Sequence, residues 1–351
     1  MLKKTIKTVL ALSIGGIFLW LAFRNVRLQE LWDYAKTISF GWILPFGLTL
    51  LMSNILRAER WRLLIEHEKK ELSSVTLVAG VLSGYLLNMV GPRFGEVTRP
   101  VYVAKKEDLN SSKLIGTIVL ERIIDLLTMI LLMIVVAVYL ISDFGLLRQI
   151  FGNDTMNLLT QGVPLITTFW SILTLGLIAL AGYLVVKGVQ YLATRIEKVD
   201  VWLQKVREGL GQFKEGLLAV RKVKRWWLFI FYTVLIWTCY TLMSYIPFWM
   251  FNMQEVYGLG ILEAITITVI SAIGIAIPSP GGLGTYHYFV KQSLMVLFAV
   301  PAVTGLAYAT VTHAATVLMV VLFTPVALAL DKWRQAKRGQ VPDANQAEST
   351  N

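Results

Sequence analysis

A chain of 351 residues that is 56% hydrophobic and only 16% charged, with a mean hydropathy of +0.63, is too apolar for a soluble enzyme of this size. Its net charge of +11 does not point to nucleic acid, because the basic residues sit in segments flanking apolar runs, as the positive-inside rule requires. The single cysteine, Cys239, lies within a hydrophobic run and excludes both a disulfide framework and a thiolate metal cluster inside one chain.

In chain order, Lys3, Lys4 and Lys7 precede an apolar run over 8–23. No small-residue cleavage pattern follows at Phe23-Arg24-Asn25, so the run is expected to stay as a first membrane helix. Further runs close to the roughly 20 residues that span a bilayer predict six full spans, near 6–23, 41–56, 114–141, 163–186, 226–250 and 303–330. Two other apolar stretches, 74–108 and 258–302, are broken by Gly91-Pro92-Arg93-Phe94-Gly95-Glu96 and by Pro278-Ser279-Pro280-Gly281-Gly282-Leu283-Gly284. Unwound backbone inside a membrane is tolerated only where protein buries it or a polar cavity solvates it, so matched breaks in two halves point to a substrate site near the bilayer midplane.

Between the halves, 187–225 holds ten Lys/Arg against four acidic residues. There Leu192, Ile196, Val199, Leu203, Val206, Leu210, Phe213 and Leu217 recur at alternating steps of four and three. That is the stripe of an amphipathic basic segment lying on an anionic leaflet, with coiled-coil pairing as the alternative. The division expected is therefore a transmembrane domain over 1–330 and a polar cytoplasmic tail over 331–351, disordered after Lys337.

Loop charge sets the orientation. Lys and Arg number three at the N-terminus, five in 57–73, ten in 187–225 and four in the tail, which places both termini and these loops in the cytoplasm. Residues 142–162 hold only Arg148 and 251–257 hold none, so both lie outside; 24–40 is outside by its place between two cytoplasmic segments. It follows that 74–108 enters and leaves from the cytoplasm and 258–302 from outside. The expected fold is an all-α polytopic bundle of six spans and two re-entrant hairpins in an inverted-topology repeat. The plainer alternative makes each broken stretch two short spans with a Pro kink, which leaves the termini where they are.

Charged residues inside such a body must be compensated. Glu121 and Asp125 share a helix face with Arg122 offset by one position, and Arg93, Glu96 and Arg99 are spaced three apart around the first break. A polar substrate site and a static ion-pair network are both open for the first group, and a solvated hairpin end is open for the second. Arg57, Glu59, Arg60 and Arg62 read as an interfacial cluster at the end of the second span. Glu263, His287, Lys291 and His313 read as isolated interhelical hydrogen-bond partners. Pro92 suits a first helical position and Thr285 an N-cap, so both returning half-helices aim partial positive charge at the break, which with Arg93 and Arg122 suits a phosphate. The carbonyls that end the approaching half-helices favour a cation instead.

Asn88-Met89-Val90-Gly91-Pro92-Arg93-Phe94-Gly95-Glu96-Val97-Thr98-Arg99, Glu121-Arg122-Ile123-Ile124-Asp125 and Pro280-Gly281-Gly282-Leu283-Gly284 resemble, in that order, the signatures of the lysylphosphatidylglycerol synthase transmembrane-region family. The resemblance covers roughly 5–330 and implies a flippase-like membrane domain, joined in the full synthase to a cytoplasmic aminoacyl-transferase domain. With the last expected span ending near 330, no such catalytic domain is expected here. The chain departs from many relatives at Thr285-Tyr286-His287, where they carry an acidic residue soon after the glycines.

These readings converge on a multi-pass protein of the bacterial plasma membrane that binds, and moves, an anionic phospholipid or a polyprenyl-phosphate-type lipid. Arg93, Glu96, Arg99, Glu121, Arg122 and Asp125 are the expected substrate-binding residues, with Gly91, Pro92, Gly95, Pro280, Gly281, Gly282 and Gly284 shaping the backbone. No catalytic residue, cofactor, metal or nucleic acid is expected, and a homo-oligomer is left open. The alternatives are an ion-coupled small-solute transporter and a membrane-embedded lipid transferase, although no D-D-x-x-D, H-E-x-x-H or G-x-S-x-G pattern occurs. The loop charges predict that, in a Cys239→Ala background, a cysteine at Asn153 reacts with an impermeant thiol reagent in intact cells and one at Gly339 does not. Labelling at 339 would overturn the orientation.

Overall fold

The computed structural model describes residues 2–24, 26–36, 38–91, 93–141, 208, 211, 214, 218–219 and 223–338. Pro92, the span expected near 163–186 and nearly all of the basic segment 187–225 lie outside the described residues.

Among the described residues the structure is all helical: α1 (Leu2–Phe23), α2 (Leu28–Ala35), α3 (Ile43–Ile65), α4 (Ser74–Val90), α5 (Phe94–Glu107), α6 (Ser111–Ile141), α7 (Trp226–Met250), α8 (Met253–Tyr257), α9 (Ile261–Ala276), α10 (Thr285–Phe298) and α11 (Ala302–Arg338). Three helical stretches, Phe40–Ile65, Trp226–Met250 and Ala302–Lys337, are long and apolar enough to cross a bilayer. Large apolar side chains point outward in rows: Leu44, Leu48 and Met52 on α3, Leu127, Leu131 and Ile134 on α6, and Leu318, Leu322 and Val326 on α11 are all exposed. Outer faces of this kind call for a hydrocarbon solvent, as an integral membrane protein has.

The order long helix, hairpin, long helix occurs twice, as α3, α4–α5, α6 and as α7, α9–α10, α11. Within the first hairpin α4 and α5 approach to backbone contact. A Cβ at Gly95 would overlap the Gly84 carbonyl, and one at Gly80 would lie 2.8 Å from the Val103 side chain. Ser73 caps α4, accepting from the Thr76 amide at 3.2 Å. The turn is closed by Asn88, whose Oδ1 accepts from the Gly95 amide at 2.7 Å and so satisfies an otherwise free donor in the first turn of α5. Pro92 was expected to open α5, but Phe94 is its first helical residue, preceded by Arg93 at a positive φ of 63°.

The second break is built from a short 3-10 turn, Pro280–Gly282, with φ of 59° at Gly281, 76° at Gly282 and 83° at Gly284. These are left-handed conformations that glycine adopts without steric cost. Thr285 was expected as the N-cap of α10; Gly284 holds that place. The Thr285 hydroxyl instead ties the turn together, donating to the Gly282 carbonyl at 3.2 Å and pairing with the Ser279 hydroxyl at 2.9 Å. Gly284 lies backbone to backbone against Gly15 of α1, and Gly281 lies against Met89 near the end of α4, where its Cβ would sit 3.4 Å from the Met89 Cα. The two breaks thus meet.

Two helices outrun the expected spans. α3 was expected to end near 56 but continues to Ile65, because the arginines that seemed to mark its end are neutralised by carboxylates on α6. α11 passes 330 and continues to Arg338, held by polar bonds to the first hairpin. Asp331 is fully buried and accepts from the Thr76 hydroxyl at 2.5 Å and the Tyr102 hydroxyl at 2.6 Å, and Arg334 donates to the Ser73 hydroxyl.

The close packing of α4 on α5 predicts that Gly95→Ala forces the helices apart, lowering stability by about 1–3 kcal/mol. Gly16→Ala, with nothing within 4 Å of its Cβ, is the matched control. Thermal unfolding in detergent measures both, and equal melting of the two variants would contradict the packing.

Candidate functional site

Position 57 of α3 lies deep in the bundle, and an arginine there requires counter-charge from a neighbouring helix. Glu121 and Asp125, one turn apart on α6, supply it. Arg57 donates through Nε to Glu121 Oε1 and through Nη2 to Asp125 Oδ2, both at 2.7 Å. Its remaining nitrogen, Nη1, reaches the Tyr85 hydroxyl of α4 and the Tyr240 hydroxyl of α7, the latter at 3.0 Å. One guanidinium thus ties four helices together.

Arg60, one turn further along α3, stands 2.7 Å from Asp125 Oδ1 and 3.2 Å from Glu121 Oε1. Arg99 of α5 adds contacts to Glu121 at 3.1 and 3.3 Å and stacks over the Trp61 ring at 4.2 Å. The side chains of Arg57, Arg60, Arg99 and Glu121 are at most 5% exposed. Three guanidinium groups against two carboxylates leave one positive charge in excess. Arg122 and Glu96, both about two-fifths exposed and 3.8 Å apart, add equal and opposite charges at the rim. The Nε atoms of Arg60 and Arg99 are buried and have no hydrogen-bond partner.

A cleft opens onto this cluster over the first hairpin, lined by Arg57 of α3, Tyr85 and Asn88 of α4, Glu96 and Arg99 of α5 and Arg122 of α6. The glycines at 84 and 95 also line it, so the near-contact of α4 and α5 forms its floor. Five of the six expected binding residues therefore gather at one place: Arg99, Glu121 and Asp125 in the buried network, Glu96 and Arg122 at its mouth. Arg93 does not join them. It sits exposed at the hairpin tip and makes no ion pair among the described residues.

Arg57 and Arg60 correct the sequence reading. They looked like an interfacial cluster because two arginines three apart after an apolar run is what a membrane boundary looks like. The available signal was that Arg57 and Arg60, three apart, and Glu121 and Asp125, four apart, are each pairs about one helical turn apart. Tyr85 and Tyr240 carried no sequence signal at all. Among the described residues no three His, Cys, Asp or Glu side chains gather to hold a metal, and the two buried carboxylates are engaged by arginine.

An all-helical body with apolar outer faces and an over-charged arginine network inside it defines an integral membrane protein with an internal polar site. The chain belongs to the family described as the lysylphosphatidylglycerol synthase TM region, whose model matches residues 8–323. It is similar to the UPF0104 membrane protein PH1989 of Pyrococcus horikoshii, with 24% identity over 313 residues that make up 84% of this chain and 87% of that protein. No solved structure matches the chain.

The network predicts a sharp contrast between two arginines. Arg57→Met breaks the buried bonds to Glu121, Asp125, Tyr85 and Tyr240 at once, leaving Arg60 and Arg99 as the buried guanidinium groups against the two carboxylates, and lowers stability by about 3–5 kcal/mol. Arg122→Ala removes a half-exposed, loosely paired group and lowers it by about 0–1 kcal/mol. Denaturation of both variants measures the difference, and equal losses would mean that Arg57 is not the keystone of the network.

Proposed function

We propose that this protein binds the phosphate of an anionic lipid, a phospholipid or a polyprenyl-phosphate-type lipid, and moves it across the plasma membrane. The observation that carries this reading is the unbalanced positive charge of Arg57, Arg60 and Arg99, two of which, Arg57 and Arg99, line the cleft over the first hairpin. A phosphate oxygen in the cleft accepts what the orphaned Nε of Arg99 offers, and it restores neutrality to a site where an uncompensated charge is costly. Arg122, held only by contacts of 3.8 and 3.9 Å, is free to swing onto an incoming headgroup while Glu96 is released. The acyl or prenyl chains stay in the bilayer against the apolar rows of the outer helices.

Movement across the membrane follows from the opposed orientation that loop charge assigns to the two hairpins. With α4–α5 re-entrant from the cytoplasm and α9–α10 from outside, both termini cytoplasmic, their touching breaks form one barrier that opens to either side in turn. Gly281, Gly282 and Gly284 give the second tip its left-handed turns, and Arg93 at the first tip meets the headgroup on its way past the breaks.

The test is translocation of short-chain labelled lipids in proteoliposomes, beside empty liposomes, with binding measured in parallel. Arg122→Gln is expected to weaken anionic-lipid binding by roughly tenfold or more, the loss of one charge-assisted bond, and to leave zwitterionic lipid unaffected. Gly282→Val, which strains a φ of 76°, is expected to cut translocation more than it cuts yield of folded protein. Wild-type rates no faster than empty liposomes, with folded protein verified, would overturn translocation. Unchanged anionic-lipid affinity in Arg122→Gln would overturn its place in the site.

A further inference from the structure

The second half of the molecule holds a polar group that the arginine network does not use. His287 lies on α10 just past the second break and His313 on α11, with ring centroids 4.9 Å apart. His287 is 4% exposed and its Nδ1 has no hydrogen-bond partner. The Tyr286 ring packs 5.6 Å from His313, and its hydroxyl pairs with Thr312 at 2.9 Å. A buried imidazole nitrogen left open, beside a second imidazole inside a membrane protein, is a site for the one ligand small enough to arrive without a cavity.

The surroundings dictate how that ligand is held. On α10 Lys291 stands one turn beyond His287, and from the end of α1 the Phe23 ring packs 6.4 Å from His287, while Arg24 is exposed and lies over Trp20. Lys291 is itself tied to the α1 carbonyl of Ala22 at 2.6 Å. On α11 the Thr312 hydroxyl that pairs with Tyr286 donates to the Tyr308 carbonyl, and the Tyr308 hydroxyl is donated to the Ser244 carbonyl at 2.5 Å. α9 presents a carboxylate only at its start, where Glu263 accepts from the Gly260 amide at 2.7 Å. No carboxylate therefore faces the two imidazoles among the described residues. Two imidazolium charges 4.9 Å apart, close to Lys291 and shielded from water, repel strongly, so the pair takes one proton at most. Even that proton is better solvated when the second hairpin has moved off α1 and α11. By linkage, the packing seen here loses relative stability as pH falls through the range near 6.5 in which an open imidazole charges.

The pair also has a physical connection to the anion site. Tyr308 bonds the backbone of Ser244 on α7, whose hydroxyl accepts from Thr268 of α9 at 2.8 Å. One turn earlier on α7, the Tyr240 hydroxyl accepts from Arg57. α7 thus touches the arginine network directly and is linked to the imidazole pair through Tyr308 and Thr312.

We propose that His287 and His313 form a proton-binding site, separate from the arginine network, through which a pH difference across the membrane acts on the movement of the bound anion. The proposal rests on the function given above. The proton comes from water on the more acidic side and returns to water on the other, with only an N–H bond made and broken.

The chain has three histidines, so His67→Gln leaves the pair as the only imidazoles. In that background, histidine-labelled protein in lipid nanodiscs is titrated by NMR between about pH 5 and pH 8. One proton per pair is expected, with His313→Gln moving the midpoint of His287 by about one unit or more. His287→Asn, read at His313, replaces it if that variant is not recovered folded. Two independent titrations near 6.5, or none across the range, would overturn the proton site. In proteoliposomes, a pH step is expected to change wild-type anionic-lipid translocation several-fold and to leave the rate of the His313→Gln protein unresponsive. A wild type that moves lipid but ignores the step overturns the coupling and leaves the proposed function intact. A folded wild type that moves no lipid under any step overturns the proposed function, and the coupling with it, while the titration still decides the proton site.

Discussion

The constraint on which the structure turns is that Arg57 cannot be charged, buried and alone. Its four bonds, to α6 twice, α4 and α7, decide which helices surround α3 and at what rotation. Glu121 and Asp125 must face inward, which turns Leu126 and Leu127 toward lipid and sets the outer face of α6. Arg60 and Arg99 then complete a shell around the carboxylates, and the aromatic faces of Phe229 and Trp61 cover their outer sides at 5.7 and 4.2 Å. A network of this kind stabilises little relative to an apolar core of equal volume, but losing one member is severe. Its excess of one guanidinium is therefore hard to explain by stability alone, and it is the feature on which the proposed anion site rests.

Glycine does the complementary work. Where charge holds helices in place, Gly84 and Gly95 let two helix backbones touch, so the first hairpin is thinner than any pair of helices with side chains between them. The second hairpin uses its glycines for conformation instead, with three positive φ values within four residues. Each solution suits its position. The first hairpin forms the floor of a cleft, and the second has to turn sharply while pressed between Gly15 of α1 and Met89 of α4.

Much of this was legible in the residues because hydrophobic runs and Gly/Pro breaks report directly on helices in a bilayer. The helical class and the two breaks came from such local patterns, and Arg99, Glu121 and Asp125, read there as members of two groups, were expected together only as parts of one substrate site. What local pattern could not show is partnership between distant segments. Arg57 looks like the end of a span until Glu121, 64 positions later, is placed beside it. Asp331 looks like the start of a polar tail until Thr76 and Tyr102 are seen to bond it. Arg93 erred in the other direction: its neighbours in sequence enter the site, but a left-handed backbone at the tip of the turn points it away. Thr285, one residue from the cap it was expected to form, shows the limit on element ends, since three flexible glycines precede it and any of them can stop the turn.

α11 touches both hairpins, and this has a mechanical meaning. Its first half is pinned to α10 through Thr312 and Tyr286, and its second half is pinned to α4 through Thr324, whose hydroxyl lies 3.4 Å from the Leu82 carbonyl, and through Asp331. Between the Thr312 and Asp331 pins, directly after Thr324, stands Pro325, which removes one rung of the helix's own bonding and leaves a soft joint there. A single rod fastened near both ends and weakened between them behaves as a jointed lever. Displacement of one hairpin loads the fastening of the other, and the joint decides whether that load bends the rod or is passed on.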